Sequence, residues 1–157
     1  MKTLIVYATN TGTAEKAAQM LNERLKDKAD IINLKKEKAP NISAYDFVVI
    51  GGSIIMGRIQ RNVKRFIAKN KGALLEKPMG LFIACGYPEN LQDYFNVILG
   101  DLRPHAAFEA NIGYAYYLEK ANPIAKQVMI SLAHTTETTE AFDEKEIQRM
   151  AEIINKK

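Results

Sequence analysis

Thr3-Leu4-Ile5-Val6-Tyr7-Ala8-Thr9-Asn10-Thr11-Gly12-Thr13-Ala14 is the stretch that decides the architecture. Its first half, Thr3–Ala8, is apolar at successive positions, so both faces of a strand built from it would be covered by helices. After Ala8 the chemistry changes to hydroxyls, one amide and one glycine. Ala14, Ala17, Ala18, Leu21 and Leu25 then recur with the 3.6-residue period of an amphipathic helix. Strand, polar turn and helix follow one another without a spacer, which is the opening of a βαβ unit.

The same alternation continues outward. Asp30–Leu34, Phe47–Gly51 and Gly80–Cys85 are strand-like, and the aromatic run Ile112–Leu118 is the expected fifth strand. Ile59, Val63, Phe66 and Ile67 mark a helix expected to stop near Gly72 as a C-cap. Leu91, Phe95, Ile98 and Leu102 mark the next, with Pro88 near its start. Asn122 and Pro123 suit the N-cap and first position of a short extra helix reaching Ala133. Asp143 and Glu146 suit a capping box before a last helix with the apolar face Ile147, Met150, Ala151 and Ile154. These spacings predict an α/β fold, an open parallel sheet with helices on both faces, in one domain covering residues 1–157.

Composition narrows the class. Of 157 residues, 47% are apolar and 25% charged, which excludes a disordered or fibrous chain. The longest apolar stretch, Phe47 to Gly57, is too short for a bilayer and is broken by glycines, so no transmembrane segment is expected. Met1-Lys2 runs directly into a strand with no leader-cleavage pattern, and the expected location is cytoplasmic. Cys85 is the single cysteine, which excludes an internal disulfide and a multi-cysteine metal site. The net charge of +4 and pI near 9.1 fit an acidic partner protein, an anionic membrane surface touched peripherally, or solubility alone; nucleic acid is not the expected partner. Arg58, Arg61, Lys64, Arg65, Lys69 and Lys71 are open to two readings, a solvated helix face or a docking surface. His105 and His134 have no partner spacing, and no Ser/His/Asp set or carboxylate pair points to hydrolysis. The oligomeric state is not readable.

In doubly wound sheets ligands bind beyond the carboxyl ends of the strands, where the strand order reverses. Three loops there stand out. Thr9, Asn10, Thr11, Gly12, Thr13 and Ala14 offer neutral donors at a helix N-terminus, a place suited to phosphate. No lysine or arginine lies within this loop, so the expectation is that neutral donors carry the anion. It lacks the Gly-Lys-Ser/Thr of a P-loop and the three spaced glycines of a dinucleotide fingerprint. The strand ends also lack the clustered aspartates of a receiver domain. A plain polar helix cap stays open as the alternative. The second loop, Gly51 to Arg58, contains Ser53, Ile54, Ile55, Met56 and Gly57. Its three glycines would allow close backbone approach, beside an apolar ledge of Ile54, Ile55 and Met56. The third contains Ala84, Cys85, Gly86 and Tyr87, with Cys85 read as a small buried residue. Together they describe a slot for a flat ring with a phosphorylated tail.

Thr9-Asn10-Thr11-Gly12-Thr13 resembles the phosphate loop of the flavodoxin family, and the other two loops are similar to its two flavin-ring loops. The opening Met1-Lys2-Thr3-Leu4-Ile5, the Gly-x-Ser-Ile-x-x-Gly pattern at Gly51–Gly57 and the tail Thr135–Phe142 resemble more closely the flavodoxin-like family that includes the menaquinone-dependent protoporphyrinogen dehydrogenases. The resemblance implies a three-layer sandwich with sheet order 2-1-3-4-5 and a non-covalently held FMN. It implies electron transfer with a redox partner protein, or alternatively an FMN-dependent oxidoreductase acting on a quinone-like small molecule. It places the phosphate at Thr9–Ala14 and the ring between Ser53–Gly57 and Ala84–Tyr87. Ile55 or Met56 would pack on the ring, Tyr87 would stack, and the Met56–Gly57 peptide would meet flavin N5. Ala14 stands where the family usually has a threonine, the ring loops lack the usual tryptophan, and the insertion after the fifth strand is short for the protoporphyrinogen enzymes.

Overall fold

The computed structural model describes residues 1–134 and 136–157. In chain order the elements are β1 (Thr3–Tyr7), α1 (Thr13–Arg24), β2 (Asp30–Asn33), β3 (Phe47–Ser53), α2 (Arg61–Leu75), β4 (Met79–Ala84), α3 (Leu91–Leu99), β5 (Ala106–Asn111), β6 (Gly113–Tyr116), α4 (Pro123–Ala133), β7 (Thr139–Phe142) and α5 (Glu144–Asn155). Five strands form a parallel sheet in the order β2-β1-β3-β4-β5, while β6 and β7 form a separate antiparallel pair. The expected 2-1-3-4-5 sheet with helices on both faces is the one observed.

Strand alternation builds the two helical layers. Leu4, Val6, Val48, Ile50, Leu81 and Ile83 point to one face, where Val63, Phe66 and Ile67 of α2 and Phe95, Ile98 and Leu99 of α3 cover them. Ile5, Tyr7, Phe47, Val49, Phe82 and Phe108 point to the other, under Ala14, Ala17, Ala18 and Leu21 of α1 and Ile147, Met150 and Ala151 of α5. Each fully buried aliphatic or aromatic side chain here contributes about 1.5–3 kcal/mol by leaving water. The glycines within the strands serve this packing. A Cβ on Gly51 would stand 2.0 Å from the Phe82 ring, and one on Gly80 would stand 2.3 Å from the Phe108 ring. Gly52 is filled in the same way by Ile59. Gly51 and Gly52 therefore make room for core side chains, a correction to the expectation that they admit a ligand.

The helix ends follow local chemistry. Lys28 Nζ donates to the carbonyls of Asn22, Glu23 and Leu25 and closes the C-terminus of α1. Asn122 caps α4 through the Ala125 N–H, and Asp143 caps α5 through the Glu146 N–H. The return half of the capping box is absent, because the Glu146 carboxylate holds Arg149 instead.

Several boundaries differ from the sequence reading, among them that of α3, which ends at Leu99 and leaves Leu102 in the following 3₁₀ stretch, Gly100–His105. Gly72 lies inside α2, which runs on to Leu75 because Leu74 finds a fully buried place. The fifth sheet strand is Ala106–Asn111, not Ile112–Leu118. At Gly113 the backbone adopts φ 86 and turns out of the sheet, and β6 pairs with β7 instead. Of the tail Thr135–Phe142, Thr135 lies outside the described residues and Thr139–Phe142 is β7. Among the described residues no helix is long and apolar enough to cross a membrane.

Candidate functional site

The loops after β1, β3 and β4 leave the same edge of three adjacent strands, at the point where the chain order reverses beside β1. In the first, Gly12 sits at φ 100 in the N-cap position of α1, and no side chain caps that helix. The Gly12 N–H donates to Thr9 Oγ1 at 2.9 Å, drawing the loop into a closed turn. The Thr11 hydroxyl has no partner among the described residues, and Asn10 is exposed. Thr13 departs from its expected role: its hydroxyl is buried and donates to the Ala115 carbonyl of β6 at 3.1 Å. Only its backbone N–H remains for an anion. Ala14 is fully buried against the core and contributes only backbone.

The loop is not served by neutral groups alone, which corrects the sequence expectation. Lys35, after β2, donates from Nζ to Asn10 Oδ1 at 3.1 Å. Lys120, in the 3₁₀ turn Leu118–Lys120, crosses Gly12 so closely that a Cβ there would lie 3.4 Å from its ammonium.

In the second loop, the Ile54 N–H donates to the Ala84 carbonyl at 2.9 Å, and Ile54 packs on the α2/α3 side of the core. The apolar ledge thus consists of Ile55 and Met56, 41% and 81% exposed. Ile55 and Arg58 exchange backbone hydrogen bonds of 2.9 and 3.1 Å, and between them Met56 (φ 50) and Gly57 (φ 76) are both left-handed. Two left-handed central residues are the signature of a type I′ turn. Glycine adopts this conformation freely, whereas methionine is held there at a cost of about 1 kcal/mol or more. Ser53 donates its N–H to Gln60 Oε1 at 3.1 Å, which leaves the buried Gln60 Nε2 without a partner among the described residues.

In the third loop the Cys85 backbone is pinned from both sides. Its N–H donates to the Gly113 carbonyl at 2.9 Å and to Asn111 Oδ1 at 3.1 Å, and its carbonyl accepts from Asn111 Nδ2 at 3.1 Å. Burial pushes the Cys85 thiol up from its ordinary pKa, partly offset by the Tyr87 backbone, and the thiol donates to the Tyr87 carbonyl at 3.2 Å. Burial and the raised pKa both disfavour the thiolate form that a nucleophile needs. Ala84 is likewise buried, while Tyr87 is exposed.

Beside Gly86 stands an aromatic wall that the sequence reading missed. Tyr114 and Tyr116 of β6 pack with centroids 5.3 Å apart, and a Cβ on Gly86 would meet the Tyr116 hydroxyl at 2.8 Å. Burial raises the Tyr116 pKa, with Tyr87, Tyr114 and Cys85 as its electrostatic neighbours. The aromatic density of the run was visible in the sequence, but its assignment to the sheet hid its place at the third loop.

Comparison with known proteins agrees with the fold. The family described as Flavodoxin domain matches residues 4–143. Protoporphyrinogen IX dehydrogenase (quinone) of Escherichia coli strain K12 is 33% identical over 85 residues, which are 52% of this chain and 47% of that protein. A flavodoxin of Haemophilus influenzae is 30% identical over 110 residues, covering 66% of this chain and 63% of that one. The chain thus spans about half the length of the first curated relatives it matches. Oxidised flavodoxin 2 of Bacillus cereus superposes with a TM-score of 0.66 at 16% identity, over 99% of both chains.

Proposed function

The chain belongs to the flavodoxin domain family, and from that premise we propose that it holds one FMN and serves as an electron carrier in the cytoplasm. The observation that carries the reading is the meeting of three unlike loops at one sheet edge: an uncapped helix start, an apolar left-handed turn and an aromatic wall. The residues fit the group. The backbone N–H groups at the start of α1 and the Thr9 and Thr11 hydroxyls would hold the phosphate. Ile55 and Met56 would cover one side of the ring, and Tyr87, Tyr114 and Tyr116 would bound the other side. When bound, FMN supplies one- and two-electron chemistry, and the protein supplies position, shielding and hydrogen bonds.

The chain's own contribution to that chemistry lies in the Met56–Gly57 peptide. It is exposed and tightly turned, and the left-handed φ of Gly57, which a Cβ would strain even though the space around it is open, sets which way the peptide presents its carbonyl and N–H. The electron partner would be a redox protein. A second reading, an FMN-dependent oxidoreductase with a quinone-like substrate, is favoured by the identity to the Escherichia coli protoporphyrinogen enzyme. Turnover with a quinone would separate it from the carrier. The direct test of the main reading is an absorption spectrum of the purified protein during stepwise reduction. A flavin spectrum that passes through a distinct one-electron stage is expected. A colourless protein that fails to take up added FMN overturns the reading.

A further inference from the structure

Lys120 occupies a position that no feature of its own neighbourhood demands. Its stem and ammonium cross over Gly12, with Nζ 3.4 Å and Cδ 3.7 Å from the place a Cβ would take. The ammonium forms no ion pair among the described residues. The Tyr117 ring lies beside it, 4.9 Å from Nζ to centroid, an arrangement that orients a cation without neutralising it. The turn that carries it is fixed at several points. Tyr117 and Leu118 are buried. The Tyr117 hydroxyl donates to Glu140 Oε1 of β7 at 2.6 Å. The Thr138 hydroxyl donates to Glu119, and the Lys120 N–H donates to the Tyr117 carbonyl at 3.1 Å. An ordered turn therefore delivers one positive charge, without a direct ion pair among the described residues and with Glu119 as an electrostatic neighbour, to the uncapped start of α1.

We propose that Lys120 is a cationic ligand for the cofactor's phosphate, supplied by the segment between β6 and β7 and not by the loop that cradles the anion. The inference rests on the FMN reading and deepens it by assigning the residue that separates a phosphorylated flavin from an unphosphorylated one. Gly12 takes the left-handed conformation that starts α1, and Lys120 lies over it at van der Waals distance. The helix terminus attracts an anion with partial charges, and Lys120 adds a full charge at the same place. Lys35 stands at the outer side of the loop and acts through Asn10, which it orients.

The test compares wild type, Lys120→Gln and Lys120→Arg, with FMN and riboflavin affinities measured separately by quenching of flavin fluorescence. Lys120→Gln is expected to weaken FMN about tenfold or more at low salt and to leave riboflavin unchanged. Lys120→Arg should retain most of the FMN affinity, and the salt dependence of FMN binding should flatten in the glutamine variant. Equal FMN affinity in wild type and Lys120→Gln overturns the proposal, as does an equal loss for FMN and riboflavin, which would mean a merely structural role. If wild type itself takes up no FMN, the functional reading falls and the proposal with it. If wild type binds FMN and the variants do not discriminate, the proposal falls alone.

Discussion

Met56 and Gly57 hold the centre of the second loop in a backbone region that side chains avoid. Met56 is both left-handed and 81% exposed, so neither packing nor propensity explains its conformation. Such residues persist where a tight turn is over-determined by its neighbours, here by the paired hydrogen bonds of Ile55 and Arg58. Rotation of the peptide between Met56 and Gly57 exchanges its carbonyl for its N–H at one side of the turn, with a new φ at Gly57. A Cβ strains the left-handed Gly57 that this turn uses, so Gly57→Ala should change the balance between the two peptide orientations and narrow the gap between the two one-electron potentials of bound FMN by the equivalent of about 1 kcal/mol. FMN should remain bound, and unchanged potentials in a redox titration would refute the role. At the end of β1, burial first and Glu15 second push the Tyr7 phenol up to about 12, against about 10 in an unfolded chain. The folded state therefore holds this proton more tightly. Its contribution to stability is complete below pH 10 and is lost as the pH climbs toward 12. Denaturant melts of Tyr7→Phe should decline less steeply across that interval than those of wild type.

Within the elements, the pairing of glycines with aromatic rings decides how the sheet packs against α1 and α5. Gly51 lies opposite Phe82 and Gly80 opposite Phe108 in the strand register, and each ring lies over its glycine. Gly51→Ala places a methyl inside the Phe82 ring and should destabilise the fold by about 1–3 kcal/mol. A lower denaturant midpoint at unchanged slope would report it. The first, third and fourth strands were legible because their apolar runs are continuous and each leads into a loop of changed composition. The fifth was not. Ala106–Asn111 has one aromatic and no β-branched residue, and it alternates between half-buried and buried at the sheet's edge. The richer run after it lost its place at Gly113, where a Cβ would strike the Ala141 carbonyl at 2.0 Å. Long-range pairing with β7 was decisive there, and no local pattern encodes it. The three site loops were readable because each directly follows its strand. Lys120, Tyr114 and Tyr116 were not, since they reach those loops only through the path taken after Gly113. Thr13 was misread because its buried hydroxyl is indistinguishable in sequence from an exposed one.

For the whole molecule, the distribution of charge is the feature that bears on partners. Arg58, Arg61, Lys64, Arg65, Lys69 and Lys71 are exposed, and of these only Lys71 has an ion pair among the described residues, with Asp101 at 2.7 Å. A set of unpaired cations along α2, on a chain of net charge +4, steers approach to an acidic surface. Association rates with an acidic redox protein should fall several-fold between low and physiological ionic strength. Rates indifferent to salt would assign these residues to solvation alone. A different consequence follows from the β6–β7 ladder, in which Tyr116 lies directly opposite Thr139. The chain departs and returns at one spot, so everything between those two residues is topologically a detour. A two-residue Asn-Gly hairpin would bridge the seam without shifting a strand of the main sheet, at the expense of the buried Tyr117 and Leu118 side chains. The architecture thereby offers a splice point at which the segment can be exchanged while the main sheet keeps its order, with Lys120 beside Gly12 leaving together with the excised piece.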